Sequence, residues 1–193
     1  MRVISGTWRG RILKSPKGQA VRPTTDRVKE ALFSMLGADL PGALFLDLCC
    51  GAGGLGIEAL SRGARKAVFV DVAGGSLKLV QENLALCGAA PGSFEVIQSD
   101  ALHWVRKWVP DERPWVAVAD PPYRSGLPWS MLQELERMRT APGFRRAVIE
   151  HGSGFDPTWD PEKSWASLAE ARERKYGRSV LAILGPLSRL EEP

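Results

Sequence analysis

Between residues 44 and 150 five short apolar runs alternate with helical segments, and this alternation restricts the fold more than any other feature of the chain. Strands are expected over 44–48, 67–71, 94–97, 115–119 and 147–150, with helices over 55–62, 76–87, 101–108 and 129–138. Strands separated by helical crossovers form a parallel sheet. Runs that are apolar throughout suit strands covered on both faces. The expectation is an α/β domain with a doubly wound, mostly parallel sheet. Segments 170–176 and 179–184 flank Tyr176-Gly177-Arg178 and predict a C-terminal antiparallel hairpin. Upstream, residues 1–14, with Gly6 and Gly10 between apolar pairs, read as a small β-ribbon, and 15–23 as a loop. A helix then follows, capped by Thr24 or Thr25, with Val28, Ala31, Leu32, Met35 and Leu36 as its apolar stripe. The boundary falls near Gly37, dividing the chain into an extension, 1–37, and a main domain, 38–193.

A chain of 193 residues with 44% hydrophobic content can bury a core that needs no disulfide or metal staple. Cys49, Cys50 and Cys87 are odd in number, and two are adjacent, so they form no disulfide framework. With only His103 and His151 and no C-x-x-C, no metal site is expected. No apolar run approaches the roughly 18 residues that span a bilayer. Residues 1–10 lack the apolar stretch of a secretory signal, so a cytoplasmic protein without membrane contact is expected. The net charge is +4, and its placement is informative. Residues 1–30 hold eight Lys or Arg and two acids, whereas the remainder holds 18 basic and 20 acidic residues. The positive excess sits wholly at the N-terminus, which fits a nucleic-acid partner or, equally, a solvated basic hairpin. If the ribbon only grips an anion, deleting residues 1–14 should cut RNA affinity and its salt slope and leave cofactor affinity nearly intact.

Asp47-Leu-Cys-Cys-Gly51-Ala-Gly53-Gly-Leu-Gly56 occupies the turn from the first sheet strand into a helix, and Asp71 ends the next strand. This G-x-G-x-x-G fits a dinucleotide site, with Asp71 on ribose hydroxyls. Asp47, however, would repel a pyrophosphate and suits an ammonium or sulfonium group. D-x-x-x-G-x-G resembles the first motif of class I S-adenosylmethionine (SAM)-dependent methyltransferases; a nicotinamide site or a purely structural turn remain alternatives. The candidate cofactor residues are Asp47, Cys50, Gly51, Gly53, Asp71, Asp100, Ala101 and Asp120. Asp100 follows the third strand, where related enzymes set an acid against the adenine amino group. It is also a good N-cap for the helix from Ala101.

The fourth run leads into Asp120-Pro121-Pro122-Tyr123. Two prolines cannot continue a strand ladder, and they stiffen the backbone. The Asp120 carboxylate and the Pro121 carbonyl are thus held at the strand's carboxyl end as two acceptors for an –NH2 group, with Tyr123 free to lie over a planar ring. In a doubly wound sheet this turn and the glycine turn flank one crevice, because the strand order reverses between the first and fourth strands.

Together the acid-Pro-Pro-aromatic turn and D-x-x-x-G-x-G look like the methyltransferases that act on exocyclic amines. Residues 2–11, Arg-Val-Ile-Ser-Gly-Thr-Trp-Arg-Gly-Arg, and 22–33, Arg-Pro-Thr-Thr-Asp-Arg-Val-Lys-Glu-Ala-Leu-Phe, closely resemble the RsmD family, bacterial 16S rRNA guanine-N2 methyltransferases. Residues 60–64 and 175–177 also fit, so the likeness covers nearly the whole chain. It departs at Cys49-Cys50, where the family usually has Phe-Ala, and at Asp71, where Glu is usual. The resemblance implies a Rossmann-like class I fold and methyl transfer from SAM to guanine N2. Asp120, Pro121, Pro122 and Tyr123 would grip the base, which must be unpaired or flipped. Arg2, Trp8, Arg9, Arg11, Arg22, Thr24 and Arg27 would contact 16S rRNA, within a small-subunit particle, and the protein would be a monomer. Three rivals remain open: an adenine-N6 DNA methyltransferase, a NAD-dependent oxidoreductase and a non-catalytic RNA-binding protein.

Overall fold

The computed structural model describes residues 1–16, 25–122, 126–152 and 172–186. Seven strands form one sheet: β1 (Leu44–Leu48), β2 (Lys66–Asp71), β3 (Phe94–Gln98), β4 (Trp115–Ala119), β5 (Phe144–Gly152), β6 (Arg172–Tyr176) and β7 (Ser179–Leu184), in the order β3-β2-β1-β4-β5-β7-β6. The first five are parallel, while β7 runs antiparallel to both β5 and β6. This is the expected doubly wound sheet with its antiparallel hairpin. The helices are α1 (Asp26–Leu36), α2 (Gly54–Ser61), α3 (Gly74–Cys87), α4 (Ala101–Lys107) and α5 (Leu127–Arg137).

Alternate strand residues face opposite layers, as the period of two requires. Phe45, Ala67, Phe69, Val116, Val118 and Val148 pack with α1, α2 and α3. Leu46, Leu48, Val68, Val70, Ala117, Ala119 and Ile149 pack with α4 and α5. The strand β3, at the sheet edge, is only half-buried and carries an exposed Glu95 that pairs with Lys66.

Two strand or helix starts and one helix face differ from the sequence expectation in ways that the structure explains. The helix α3 begins at Gly74 rather than at residue 76, because the Asp71 carboxylate accepts the Ala73 N–H at 2.8 Å and starts the turn from outside the helix. The strand β5 begins at Phe144, not at 147. Arg145 and Arg146 mask its first turn of pattern; a register shift between Trp115 and Val116 absorbs Arg145, and Arg146 pairs with Asp39 at 2.6 Å. The buried face of α1 is Val28, Lys29, Leu32, Phe33 and Leu36, so Lys29 and Phe33 take positions that the apolar stripe had left to Ala31 and Met35. Thr25 caps this helix, accepting the Val28 N–H at 3.4 Å; Thr24 lies outside the described residues.

The N-terminal ribbon exists as an antiparallel bridge between Arg2 and Ile12. Val3 and Leu13, together with the buried face of α1, belong to the same apolar cluster as the sheet. Residues 1–16 and α1 are therefore packed as part of the main body.

Candidate active site

The carboxyl ends of the first four strands are bonded to one another past the ends of the strands themselves. The Cys50 N–H donates to Val70 O at 3.0 Å, Ser99 N–H to Asp71 O at 3.0 Å, and Asp120 N–H to Leu48 O at 3.3 Å. The last bond sets Asp120 directly beside the start of the glycine turn. The two motifs that the sequence placed at separate strand ends are thus adjacent, at the point where the strand order reverses.

The turn is held in a demanding shape. Cys49 has φ 61°, a left-handed conformation that costs a non-glycine residue about 1–2 kcal/mol. Gly51 and Gly53 also have positive φ. The Asp71 carboxylate stabilises this shape by accepting the Gly51 N–H at 2.8 Å, so Asp71 ties the glycine turn to the start of α3. At Gly56 a Cβ would overlap the Phe69 ring, so glycine is needed for α2 to approach β2. The Gly56 N–H donates to the buried Asp47 carboxylate at 2.7 Å.

Carboxylates dominate the electrostatics. Burial and then the charges of Asp71, Asp120, Asp47 and Asp100 push the Cys49 thiol up to about 12. The Cys50 thiol is raised as well, mainly by burial. Both therefore remain protonated and are poor nucleophiles. Asp47 is 2% exposed; burial raises its carboxyl from 3.8 to about 7, opposed by the Gly56 N–H, reinforced by Asp71 and opposed by Lys29. Asp47, Asp71 and Asp100 take backbone N–H groups from Gly56, from Gly51 and Ala73, and from His103, respectively. Such a cluster of carboxylates disfavours a pyrophosphate and favours a ligand that carries cationic and hydroxyl groups.

The shifted Asp47 has a measurable consequence. A carboxyl raised in the folded state favours folding relative to its ionised form only while protonated, so its contribution is lost as pH rises from about 4 to about 7. Asp47→Asn keeps an acceptor for Gly56 and removes the buried charge. It is expected to raise stability at pH 8 by on the order of 2 kcal/mol, with little change at pH 4, as read by denaturant melts at both pH values.

The other expected site residues are placed as follows. Asp120 is half-buried, Pro121 buried and Pro122 exposed at the end of β4. Ala101 is buried under the Asp100 cap of α4. Of the N-terminal group, Arg2 pairs with Asp26 at 2.9 Å, and Arg11 donates to Leu86 O at 2.7 Å. Trp8 is half-buried against the core, and its backbone N–H donates to Ser61 Oγ at 2.9 Å. Arg9 and Arg27 are exposed. Arg22, Thr24 and Tyr123 lie outside the described residues. Among the described residues no group of three or more side chains could hold a metal ion, and no helix is long and apolar enough to cross a membrane.

Comparison with known proteins fits this geometry. The family model described as "Conserved hypothetical protein 95" matches residues 1–185. The "Ribosomal RNA small subunit methyltransferase D" of Escherichia coli strain K12 is 39% identical over 128 residues, which cover 66% of this chain and 62% of that protein. The chain belongs to the RsmD family. YlbH of Bacillus subtilis is 36% identical over 186 residues, covering 95% of this RsmD-family chain and 97% of YlbH. The solved structure of yhhF from Escherichia coli superposes with a TM-score of 0.74 at 30% identity, covering 96% of this chain and 97% of that one.

Sequence reasoning missed Glu58 and Asn83, both fully buried, and read Lys29 as surface charge. A signal for Glu58 was present: it is the one charged residue in a helix that is otherwise small or apolar. Asn83 had no such signal, since its partners are remote in sequence.

Proposed function

We propose that this RsmD-family protein transfers a methyl group from SAM to the exocyclic N2 of a guanine in 16S rRNA. The observation that supports this reading is the bond between Asp120 N–H and Leu48 O, which sets the Asp120-Pro121 turn beside the glycine turn. The names of the small-subunit rRNA methyltransferases among its relatives support the substrate class.

The residues fit SAM. Its sulfonium and ammonium charges suit the carboxylates around Cys49, and its ribose hydroxyls suit Asp71, whose oxygens keep lone pairs beyond the Gly51 and Ala73 bonds. Asp100 keeps a free carboxylate oxygen direction for an adenine amino group while capping α4. When bound, SAM supplies an electrophilic methyl group. The protein's part is to orient the acceptor. The lone pair of guanine N2 is conjugated into the ring, and Asp120 with the Pro121 carbonyl would hold both N–H bonds so that the nitrogen turns pyramidal. Proline has no N–H of its own, so position 121 presents only an acceptor. Tyr123 would stack on the base.

The RNA-gripping surface is smaller than the count of basic residues implies, because Arg2, Lys14 and Lys29 are engaged with Asp26, Glu82 and Glu58. Arg9 and Arg27 are the described cations best placed for phosphates. Replacing both by Ala is expected to flatten the salt dependence of RNA binding by roughly 1 to 2 logarithmic units of slope, as measured by titration across ionic strength.

Nucleoside mass spectrometry of small-subunit rRNA, with and without active protein, tests the reading. Appearance of N2-methylguanosine supports it, whereas N6-methyladenosine alone would overturn it in favour of an adenine acceptor. Supplying naked rRNA in one arm and small-subunit particles in the other identifies the working substrate, for which the particle is proposed, with the protein acting as a cytoplasmic monomer.

A further inference from the structure

The N-terminal segment is joined to the cofactor turn through buried polar groups, and the most direct of these is Asn83 on α3. Its side chain is fully buried. Its Oδ1 accepts the Lys14 N–H at 2.7 Å, and its Nδ2 donates to Lys14 O at 3.0 Å and to Ala52 O at 3.0 Å. Lys14 is where the ribbon leaves toward α1, and Ala52 is the centre of the glycine turn. One amide therefore bridges the basic segment and the backbone that would cradle the cofactor. A second contact runs alongside, where the Met1 sulfur occupies the place that a Cβ on Gly54 would take.

We propose that Asn83 is a positioning residue that couples the docking of residues 1–14 to the shape of the cofactor turn, so that RNA held by the ribbon tightens cofactor binding. This rests on the methyl-transfer reading above. Cutting the amide leaves Lys14 N–H, Lys14 O and Ala52 O without buried partners, and the turn, with Cys49 already in a left-handed conformation, loses a support. The coupling is reciprocal, since a ligand that orders the turn orders the ribbon by the same factor. It departs from the expectation from charge alone: removing residues 1–14 should weaken cofactor binding as well as RNA binding.

The test compares wild type with Asn83→Leu and Asn83→Ser, with Leu135→Ala on α5 as a control that lowers stability in the opposite layer. Calorimetry measures affinity for S-adenosylhomocysteine, with and without an rRNA fragment, and amide exchange follows residues 51–54 in the ligand-free protein. The expected result is a loss of affinity of about tenfold and faster exchange in both Asn83 variants. RNA should tighten S-adenosylhomocysteine binding in wild type only, and Leu135→Ala should match wild-type affinity despite its lower Tm. If the Asn83 variants match Leu135→Ala in affinity and exchange, the coupling is refuted while the functional reading stands. If wild type itself binds no S-adenosylhomocysteine, the functional reading fails and the coupling falls with it.

Discussion

Asp120→Ala is expected to slow methyl transfer about 1,000-fold, while affinity for S-adenosylhomocysteine falls by less than about tenfold. The substitution leaves the backbone bond from residue 120 to Leu48 O, so the turn stays beside the glycine turn. On the proposed reading, what it removes is the acceptor for one of the two N–H bonds of the guanine amine. Without it the nitrogen lone pair remains conjugated and is not aimed at the methyl group, which is a loss specific to the transition state and therefore reads in kcat. Asp120→Asn separates two roles. It keeps an acceptor oxygen and loses the capacity to take a proton. A fall far smaller than that of the alanine variant would identify Asp120 as an orienting acceptor; equal falls would mean that its charge or basicity does the work. Single-turnover methylation of small-subunit particles beside calorimetric binding provides both numbers.

The strands that position this turn were legible because β1, apart from Asp47, and β4 are apolar runs, the first leading into the glycine turn and the second ended by Asp120 before two prolines. The same runs predicted which ends would meet once a doubly wound order that reverses between the first and fourth strands was assumed. Legibility failed where a residue's role depends on a distant partner. Lys29 has the spacing of an exposed helix residue and is counted with the basic segment, yet it is buried against Glu58, 29 positions away. Asn83 meets Lys14 across 69 positions. The left-handed Cys49 was hidden for a different reason: nothing in a Cys-Cys pair signals positive φ, and the strain is sustained by the bonds of Asp71 and Asn83 around it. The charge tally of residues 1–30 was correct as arithmetic but counted Lys29, which is buried against Glu58, among the surface cations.

Glu58→Leu is expected to destabilise the fold by about 3–5 kcal/mol, whereas Lys29→Met should cost less than about 2 kcal/mol, although the two side chains form one ion pair. The asymmetry comes from what each leaves behind. Glu58 is fully buried and accepts four donors: Ile4 N–H at 2.8 Å, Ser5 N–H at 2.9 Å, Arg62 Nε at 2.8 Å and Lys29 Nζ at 3.2 Å. Losing it strands two backbone N–H groups and a buried ammonium, and it unfastens the ribbon from α2. Glycine at position 6 shows how close that docking is, since a Cβ there would overlap the Ser61 carbonyl. Losing Lys29 leaves Glu58 with three donors, one of them the Arg62 guanidinium, and orphans only Arg2 O. The Lys29 ammonium is moreover held below its ordinary pKa, because burial outweighs the attraction of Glu58, so its replacement by an apolar chain of similar volume relieves a desolvation penalty. Urea melts of the two variants and their double mutant measure both values. A Lys29→Met loss as large as that of Glu58→Leu would show that the ion pair itself, rather than the carboxylate as a hub for the N-terminal backbone, joins the ribbon to the helix behind the cofactor turn.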